Sequence, residues 1–417
     1  MKNTNIPETY LEKRVQQFVG NQMKAIILAA GNGTRMSPLA EEKPKPLLKV
    51  GGKPIIEYNI DNIREKVDEV IIVAGYRKEK LFDKYEDDKD IKIVVQDPPE
   101  GTADAALKAE KHIEDSAVIM NGDDIYGEDI KELCNHERAF LVSETDEPEK
   151  YGVFEKKDDK IVGIQEKPAN PPSNLVNVGC FKVCKNFFEH LKKVERSERG
   201  EYEITDAMQE YMDEEEIGFV KTDTWYPCSY PWQLLKANKE LLKEKNRSIE
   251  GKVHESATIK GDVVVEEGAV IKENTVIQGP ALIKKGCEVG PMTHIRPSTV
   301  LEENVKVSKS EVKNSVILEG TAIPHFNYVG DSYVCKNVNF GAGTITANLR
   351  NDHSTVKVKV KGEIIDTGMK KVGAFIGSNT KIGVNCSINP GVKIGSDVKT
   401  NSHIRIDRNV KKGEVLK

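Results

Sequence analysis

Aliphatic residues recur at every sixth position through much of the C-terminal half of this chain, and this repeat restricts the possible folds more than any other feature. A period of six fits neither an α-helix, with about 3.6 residues per turn, nor the simple alternation of a strand. Hexapeptide repeats instead build a parallel β-helix, whose stacked coils bury one aliphatic residue per repeat. The repeat therefore predicts a β-helix after Gly251. Two registers carry it, over Val253, Ile259, Val265, Ile271, Ile277, Ile283, Val289, Ile295, Leu301 and Val307, and over Ile376, Ile382, Ile388 and Ile394.

The rhythm is interrupted at Lys313 and again over residues 324–371. Because the repeating aliphatic residues form the core, binding and catalysis are predicted where the repeat fails. His325 lies in the longer interruption. A single histidine in a loop is more commonly a surface residue. The position of His325 alone therefore does not distinguish a surface residue from a catalytic one.

Composition and charge exclude several classes of protein. The chain has 417 residues, enough for two or three domains, and its 38% hydrophobic and 31% charged residues are typical of a globular protein. A net charge of −5 provides no excess positive field for gripping nucleic acid or an anionic membrane. The start MKNTNIPETY lacks the pattern of a signal peptide, and no apolar run reaches the ~18 residues of a membrane span. We therefore expect a cytoplasmic protein that binds neither nucleic acid nor membrane.

Short apolar runs alternate with charged, helix-like segments over the N-terminal half. The runs are AIILAA at 25–30, VIIVAG at 70–75, IKIVV at 91–95 and AVIMNG at 117–122. Apolar strands separated by amphipathic helices are typical of a Rossmann-like α/β domain with a mostly parallel sheet and helices on both faces. Ligands of such sheets bind at the carboxyl ends of the strands, so Gly31, Gln96 and Asp123 are predicted to converge on one cleft.

These patterns predict four segments. Residues 1–22 form an N-terminal extension of open role with an amphipathic stretch from Tyr10 to Val19, and residues 23–235 form the α/β domain. The sequence QLLKANKELLKEKNR at 233–247 favours a helical linker, assigned to residues 236–250. Residues 251–417 form the β-helix.

Charged residues near the strand ends suggest a phosphate site. LAAGNGTRM at 28–36 follows the first strand and offers glycine backbone N–H groups to phosphate oxygens, with Arg35 as a forked donor. Lys45 sits between two prolines that stiffen its loop, and Asp123 ends a strand where it would hold a divalent cation. Taken singly, Lys45 also fits a solvated loop lysine and Asp123 a turn or helix-capping residue.

In combination these motifs resemble the sugar-1-phosphate nucleotidylyltransferase family over about residues 23–235. The shared motifs are LAAGNGTRM, KPKPLLKVGGKPIIEY, QDPPEGTADAA at 96–106, NGD at 121–123, YGV at 151–153 and QEKP at 165–168. The resemblance implies that Asp123 binds Mg²⁺ and that Arg35 and Lys45 grip the phosphates. It further implies base and phosphate contacts from Leu28, Ala29, Ala30 and Gly31, pyrimidine recognition by Gln96, Gly101 and Thr102, and sugar contacts from Gly152, Glu166 and Asn177.

The implied reaction is in-line attack of a sugar phosphate oxygen on the α-phosphorus of UTP or dTTP, which releases pyrophosphate. Charge neutralisation and alignment supply most of this catalysis. One motif departs from the family, because Pro227 in WYPCSYPW occupies the place of a common second metal-binding Asp. Asp223 or a water would substitute, or Asp123 and the phosphates would hold the metal alone.

The C-terminal half resembles the acetyltransferase half of bifunctional N-acetylglucosamine-1-phosphate uridylyltransferases over about residues 251–417. The shared motifs are IRPSTV at 295–300, EVK at 311–313, PHFNYVGD at 324–331 and NVNFGAGTITANLRND at 337–352. The resemblance implies a left-handed β-helix and a homotrimer with sites between subunits. His325 would be the general base, since imidazole can accept the proton of an amine near neutral pH, and Glu311 would orient its ring. Glucosamine 1-phosphate would contact Arg296, Lys313, Tyr328 and Asn339, and acetyl-CoA would contact Ala342, Asn348 and Ser378.

Two departures point to an archaeal rather than a bacterial type. Leu349 stands where bacterial members carry Tyr, and TVKVKVKGEIIDTGMKK at 355–371 is a longer and more basic insertion. Lys357 or a neighbour would meet the CoA phosphates, or the insertion is an edge hairpin with solvated lysines on one face.

The sequence therefore predicts a bifunctional enzyme that acetylates glucosamine 1-phosphate from acetyl-CoA and then joins the product to UTP. The main alternative is a monofunctional glucose-1-phosphate thymidylyl- or uridylyltransferase with a structural β-helix. A third reading, a noncatalytic assembly subunit, is disfavoured because Arg35, Lys45 and Asp123 are all present. The preferred base and sugar stay open, since one hydroxyl contact changes binding by only a few kcal/mol.

Overall fold

The computed structural model describes residues 22–158, 160–197 and 200–417, so the predicted amphipathic stretch from Tyr10 to Val19 lies outside the described residues. The chain divides into two compact units. The first contains residues 22–30, Asn59–Gly122 and the described residues of Tyr126–Trp225. The second contains Gly31–Tyr58, Asp123–Ile125 and Tyr226–Lys417. The predicted phosphate-binding residues Arg35, Lys45 and Asp123 therefore belong to the same unit as the β-helix.

A mixed sheet forms the centre of the first unit. Its strands are β1 (Met23–Ala29), β2 (Glu69–Ala74), β3 (Ile91–Val95), β4 (Ser116–Asn121), β5 (Ala139–Glu144), β6 (Gly152–Lys157), β7 (Lys160–Glu166), β8 (Leu175–Cys184) and β9 (Gly218–Lys221). The main path of the sheet has the order β7-β6-β8-β4-β1-β2-β3. The strands predicted from apolar runs, β1 to β4, pair in parallel as expected, and residues such as Ile26, Ile71 and Ile119 are fully buried. Strand β6 pairs antiparallel with β7, and β8 pairs antiparallel with both β4 and β5. Strand β9 pairs in parallel with β5.

Helices and short elements connect these strands. None of the described helices combines the length and apolarity that a bilayer crossing requires. The helices are α1 (Ile55–Ile63), α2 (Glu79–Tyr85), α3 (Thr102–Leu107), α4 (Ile130–Leu133), α5 (Phe187–Leu191), α6 (Ile204–Glu214) and α7 (Pro231–Lys243). Single 3-10 turns cover Thr34–Met36, Lys45–Leu47, Arg64–Lys66, Glu110–His112 and Pro148–Lys150, and short strands cover Lys49–Val50, Lys53–Pro54, Asp124–Tyr126 and Trp225–Pro227.

From Ser248 onward, strands of two or three residues stack in parallel on the faces of a β-helix. The first face contains Ser248–Ile249, Val263–Val265, Ala281–Ile283, Thr299–Leu301, Val316–Ile317, Tyr333–Val334, Phe375–Ile376 and Lys393–Ile394. The second face contains Lys252–Val253, Val270–Ile271, Glu288–Val289, Lys306–Val307, Ala322–Ile323, Asn339–Phe340, Lys381–Ile382, Lys399–Thr400 and Val415–Leu416. The third face contains Thr258–Lys260, Val276–Gln278, His294–Ile295, Glu311–Lys313, Tyr328–Gly330, Ile345–Thr346, Ser387–Ile388 and Arg405–Ile406.

The six-residue repeat fills the core of this β-helix, as predicted. Val265 pairs with Ile283, 18 positions later, so one coil holds three repeats. From Val265 to Val307 the repeat residues are at most 1% exposed, and the later register is similarly buried. Val253, in the first coil, is 38% exposed. The interruption at Lys313 is a shortened coil, because Ile295 pairs with Val312, only 17 positions later.

The longer interruption contains an antiparallel hairpin of Lys357–Val360 and Glu363–Asp366. Its valines Val358 and Val360 are buried whereas Lys357 and Lys359 are exposed, as the hairpin interpretation of the insertion predicts. An apolar cluster joins the hairpin to the outer side of the first face and to segment 31–58. Its members include Met36, Leu48, Val50, Trp232, Leu235, Val316, Tyr333, Val358, Val360 and Phe375.

Candidate active sites

A buried lysine and an acidic residue meet in the second unit. Lys45 begins the 3-10 turn Lys45–Leu47, after Pro44 in an extended conformation, and its side chain is 8% exposed. Its ammonium group donates a hydrogen bond to the carboxylate of Asp123, 78 residues further along the chain. The Asp123 side chain is 40% exposed. Lys45 is therefore not a solvated loop lysine, and the two predicted residues form one charged pair.

Arg35 lies in the 3-10 turn Thr34–Met36, which begins after Gly33. Gly33 has a φ of 59°, a left-handed conformation that favours glycine. The Arg35 guanidinium is exposed and lies 5.9 Å from the centre of the Tyr230 ring in the same unit. Stacking on an aromatic face leaves the in-plane N–H donors of a guanidinium free for an anionic ligand.

The donor set around Asp123 is compatible with Mg²⁺, which prefers carboxylate oxygens and commonly binds proteins through one or two carboxylates plus phosphates. The neighbouring Asp124 is buried and accepts a hydrogen bond from the Cys228 N–H at 3.1 Å. Pro227 offers no ligating side chain. Asp123, which is partly exposed and paired with Lys45, is thus the carboxylate that would hold the metal, and phosphate oxygens would complete the coordination.

A cavity of about 440 Å³ lies in the first unit. Four predicted residues line it, namely Leu28, Thr102, Glu166 and Asn177. Of the remaining predicted residues in this unit, Ala29, Ala30 and Gly152 are buried. Gly152 lies beside Glu166, because a Cβ on Gly152 would be 3.2 Å from Glu166 Oε2. Gly31, at the start of the segment assigned to the second unit, is exposed, with nothing within 4 Å of a Cβ there.

Several polar groups predicted to bind ligand hold the protein backbone in this structure. The Gln96 amide nitrogen donates to the Gly101 carbonyl at 2.9 Å and to Asp104 Oδ2 at 2.8 Å. The Thr102 hydroxyl accepts from the Ile204 N–H at 3.0 Å, and Asn177 Oδ1 accepts from the Gly179 N–H at 2.8 Å. Gln96 is 2% exposed, so it orders the GTA turn, and its recognition of a pyrimidine stays a prediction.

The third face of the β-helix gathers a second polar network. Lys313 Nζ lies 3.0 Å from Oδ2 of Asp331, whose side chain is 4% exposed. Asn314 donates to Asp331 Oδ1 at 2.7 Å, and the Asn348 amide donates both to Asp331 and to the Tyr328 hydroxyl, at 3.0 Å for the latter. Asp331 therefore links Lys313 to Asn348, and Asn348 in turn contacts Tyr328. All three of these partners were predicted from the sequence to bind substrates.

Arg296 precedes Lys313 by one coil, and its Nη1 donates to Glu311 at 2.8 Å. The carboxylate predicted to orient the imidazole thus pairs with a guanidinium in this structure. His325 is exposed at the corner between the second and third faces, with a φ of 58°. A cavity of about 630 Å³ runs along the third face and is lined by Glu311 and Tyr328 among others.

Known proteins resemble this chain over almost its full length. A family model described as nucleotidyl transferase matches residues 24–244. The bifunctional protein GlmU of Methanocaldococcus jannaschii is 44% identical over 392 residues, which cover 93% of this chain and 96% of the relative. The chain belongs to the nucleotidyl transferase family. The GlmU of Methanococcus vannielii is 40% identical, with 94% and 96% of the two chains covered. A bifunctional sugar-1-phosphate nucleotidylyltransferase/acetyltransferase of Sulfurisphaera tokodaii is 40% identical, with 95% and 100% covered.

These relatives confirm the resemblance inferred from the motifs, including its archaeal character. Beyond the residues matched by the family model, the chain continues through the β-helix. The coverage of 96% or more of each relative means that both halves align, rather than the nucleotidyl transferase half alone.

Not all predicted acetyl-site residues of this family member lie on one face. Asn339 is exposed on the second face, whereas Tyr328 is on the third. Ala342 is half-buried, and Ser378 is buried with its carbonyl accepting from Asp397 N–H at 2.8 Å. Their roles toward acetyl-CoA stay predictions.

Two acidic residues near the candidate sites were not predicted from the sequence. Asp331 follows Tyr328 in the PHFNYVGD motif, but its role becomes visible only when the coils are stacked. Asp206, in the first turn of α6, lines the 440 Å³ cavity with Glu166. Burial raises the pKa of the Asp206 carboxyl above its usual value, and the carboxylates of Glu166 and Glu210 raise it further. An acidic residue in the first turn of a helix was the available signal, but such residues commonly only stabilise helix ends.

Replacing Gly101 by alanine is expected to lower the melting temperature of the first unit. Gly101 has a φ of 121°, and a Cβ there would lie 2.4 Å from the carbonyl oxygen of Tyr202. The strained conformation alone costs about 1–3 kcal/mol. Gly200→Ala is the matched control, because Gly200 has a φ of 78° but open space around its Cβ position. Equal melting temperatures for the two variants in thermal denaturation would contradict the steric argument.

Proposed function

We propose that this protein makes UDP-N-acetylglucosamine in two reactions at two sites. The β-helix, residues 251–417, transfers an acetyl group from acetyl-CoA to glucosamine 1-phosphate. The nucleotidylyltransferase domain, residues 23–235, then transfers the uridylyl group of UTP to N-acetylglucosamine 1-phosphate and releases pyrophosphate. The observation that carries this proposal is the near-complete alignment with relatives named as bifunctional. A cytoplasmic location and a preference for UTP over dTTP are part of the proposal.

Nucleotidylyl transfer needs positive charge around a triphosphate. A phosphate oxygen of the sugar phosphate attacks the α-phosphorus, and the bond to the leaving pyrophosphate breaks. Lys45 and Arg35 would contact the phosphate oxygens, and the cavity lined by Glu166 and Asn177 would hold the sugar. Mg²⁺, held by Asp123, would supply further charge neutralisation. No proton has to move, so positioned cations account for the catalysis.

Acetyl transfer needs a neutral amine. The amine nitrogen of glucosamine 1-phosphate attacks the thioester carbonyl, the carbon–sulfur bond breaks, and CoA leaves as the thiolate. His325 would accept the proton that the nitrogen loses, while Arg296 and Lys313 would bind the phosphate. The exposed position of His325 leaves its ring open to a substrate.

A homotrimer would bring the two groups of acetyl-site residues together. Asn339 lies on the second face and Tyr328 on the third, so the second face of one subunit would complete the site on the third face of its neighbour. Light scattering on the purified protein measures the assembly, and a stable monomer with full acetyltransferase activity would contradict this proposal.

The test of the function uses two assays on the full-length protein. With acetyl-CoA and glucosamine 1-phosphate, free CoA is measured with a thiol reagent. With UTP, Mg²⁺ and N-acetylglucosamine 1-phosphate, pyrophosphate is measured. Release in both assays supports the bifunctional enzyme, whereas pyrophosphate release without CoA release would leave the monofunctional alternative with a structural β-helix.

Asp331→Asn is expected to raise the KM for glucosamine 1-phosphate about tenfold, because a hydrogen bond to a charged group is worth about 1.5–3 kcal/mol. The new amide would present N–H groups to Lys313 and Asn348, which are themselves donors. Asp397→Asn is the matched control, since Asp397 is an exposed coil residue with a φ of 62°, compared with 49° at Asp331. An unchanged KM for Asp331→Asn in the CoA assay would contradict a role in positioning Lys313.

A further inference from the structure

A cluster of two lysines and three glutamates joins the segment that carries Lys45 to the β-helix. We call Lys49, Lys284, Glu302, Glu303 and Glu319 the lysine–glutamate cluster. Lys49 Nζ lies 2.5 Å from Glu302 Oε2, 3.0 Å from Glu303 and 3.8 Å from Glu319. Lys284 Nζ lies 3.1 Å from Glu302 and 2.9 Å from Glu303. Lys49 is four positions after Lys45, whereas Glu302 is 253 positions after Lys49.

Glu302 is the buried member of the cluster, the other four residues are half-buried, and both ammonium groups contact carboxylates. Glu302 is fully buried, and this burial raises its pKa. Burial lowers the pKa of Lys49, but attraction and hydrogen bonding by Glu302 and Glu303 outweigh that effect, so the net shift is upward. The three carboxylates offer oxygens within 4.8 Å of one another, as a metal site would. Two ammonium groups already contact these oxygens, so the geometry is that of an ion-pair network.

Backbone contacts fix the same segment. The Tyr333 hydroxyl donates to the Lys49 carbonyl at 2.9 Å, and Lys284 Nζ donates to the Gly52 carbonyl at 3.1 Å. On the other side of Lys45, Glu41 accepts from the Ser396 N–H at 2.9 Å. The β-helix therefore holds the segment both before and after Lys45.

A buried ion-pair cluster contributes little net stability, because desolvation offsets most of the attraction. Its ordered geometry has another consequence. Between Lys45 and Lys49 the chain has little freedom, since it contains Pro46 and the 3-10 turn Lys45–Leu47, followed by the fully buried Leu48. A displacement of Lys49 would thus be passed on to Lys45.

We propose that the lysine–glutamate cluster is a positioning device for Lys45, so that side chains of the β-helix set the efficiency of nucleotidylyl transfer. The inference rests on the proposed function of Lys45 in gripping the triphosphate. A misplacement of about 1 Å can lower a rate as much as 100-fold when alignment carries the catalysis.

Lys49→Met tests the inference. We expect kcat/KM for UTP in the pyrophosphate assay to fall about tenfold, within the range that misalignment produces, while CoA release stays at the wild-type level. CoA release also reports that the β-helix is folded. The matched control is Lys272→Met, because Lys272 pairs with Glu288 at 2.7 Å on the β-helix outside the cluster. Lys272→Met is expected to leave both assays unchanged.

A double-mutant cycle separates positioning from general stability. If Lys49 acts through Lys45, Lys49→Met adds no loss in a Lys45→Ala background, because coupled residues are not additive. Additive losses, or wild-type kcat/KM in Lys49→Met, would overturn the inference. Should Lys49→Met not fold, Glu303→Gln removes one partner whose side chain is 22% exposed, and the same cycle applies. Absence of pyrophosphate release from the wild-type protein would instead refute the proposed function.

Discussion

Replacing His325 by alanine is expected to lower CoA release by about 10²–10⁴-fold, the usual contribution of a general base, and to leave pyrophosphate release unchanged. The amine must lose a proton as the amide forms, and alanine cannot accept it. The side chain is exposed at a coil corner, so its removal leaves no cavity in the core. The thiol assay with acetyl-CoA and glucosamine 1-phosphate measures the effect.

His403→Ala is the matched control for this prediction. His403 is also exposed, has a φ of 61° compared with 58° at His325, and donates its N–H to a carbonyl of the preceding coil. It lies outside the predicted acetyl site. Full CoA release from His325→Ala would refute the assignment of the base, and equal losses in both variants would indicate a structural effect.

Replacing Lys45 by alanine is expected to lower pyrophosphate release by about 10²–10³-fold, the effect of removing a positioned group that stabilises transition-state charge. Lys45 is the buried cation of the segment predicted to bind phosphate, and its loss leaves Asp123 without its ammonium partner. CoA release is expected to stay at the wild-type level, since the residues predicted to form the acetyl site are on the β-helix. The assay is pyrophosphate release with UTP and N-acetylglucosamine 1-phosphate.

Lys43→Ala provides the comparison, because Lys43 is a half-buried lysine of the same KPKP sequence. We expect it to keep most of the pyrophosphate release. A Lys45→Ala variant as active as Lys43→Ala would show that the triphosphate is gripped elsewhere. Loss of both activities in Lys45→Ala would show that the segment is needed for folding.

The fold was largely predictable because its strongest signals are local and repeated. A six-residue aliphatic period has few structural solutions, and each repeat adds the same buried position. The parallel strands β1 to β4 were likewise readable from short apolar runs. The antiparallel strands of the first sheet were not predicted, since their pairing depends on contacts between distant segments.

The candidate sites were predictable only where a motif carries the chemistry. Lys45 and Asp123 were chosen separately, and the structure pairs them. The assignment of segment 31–58 to the unit of the β-helix depends on contacts such as Lys49 to Glu302, which no local pattern encodes. Asp331 was missed for the same reason, because its partners Lys313 and Asn348 lie 18 and 17 positions away.

Coil stacking fixes the spacing between charged side chains on adjacent coils of the β-helix. Ile295 pairs with Val312, and the Arg296 N–H donates to the Val312 carbonyl at 2.8 Å, so Arg296 and Lys313 occupy matching positions on adjacent turns. Neighbouring strands of a sheet lie about 4.8 Å apart, which sets the interval between these two cations through the backbone. Inserting one whole turn between them would widen that interval to about 9.6 Å. The distance between two such cations can therefore change only by whole coils, and each added coil would suit a longer polyanion.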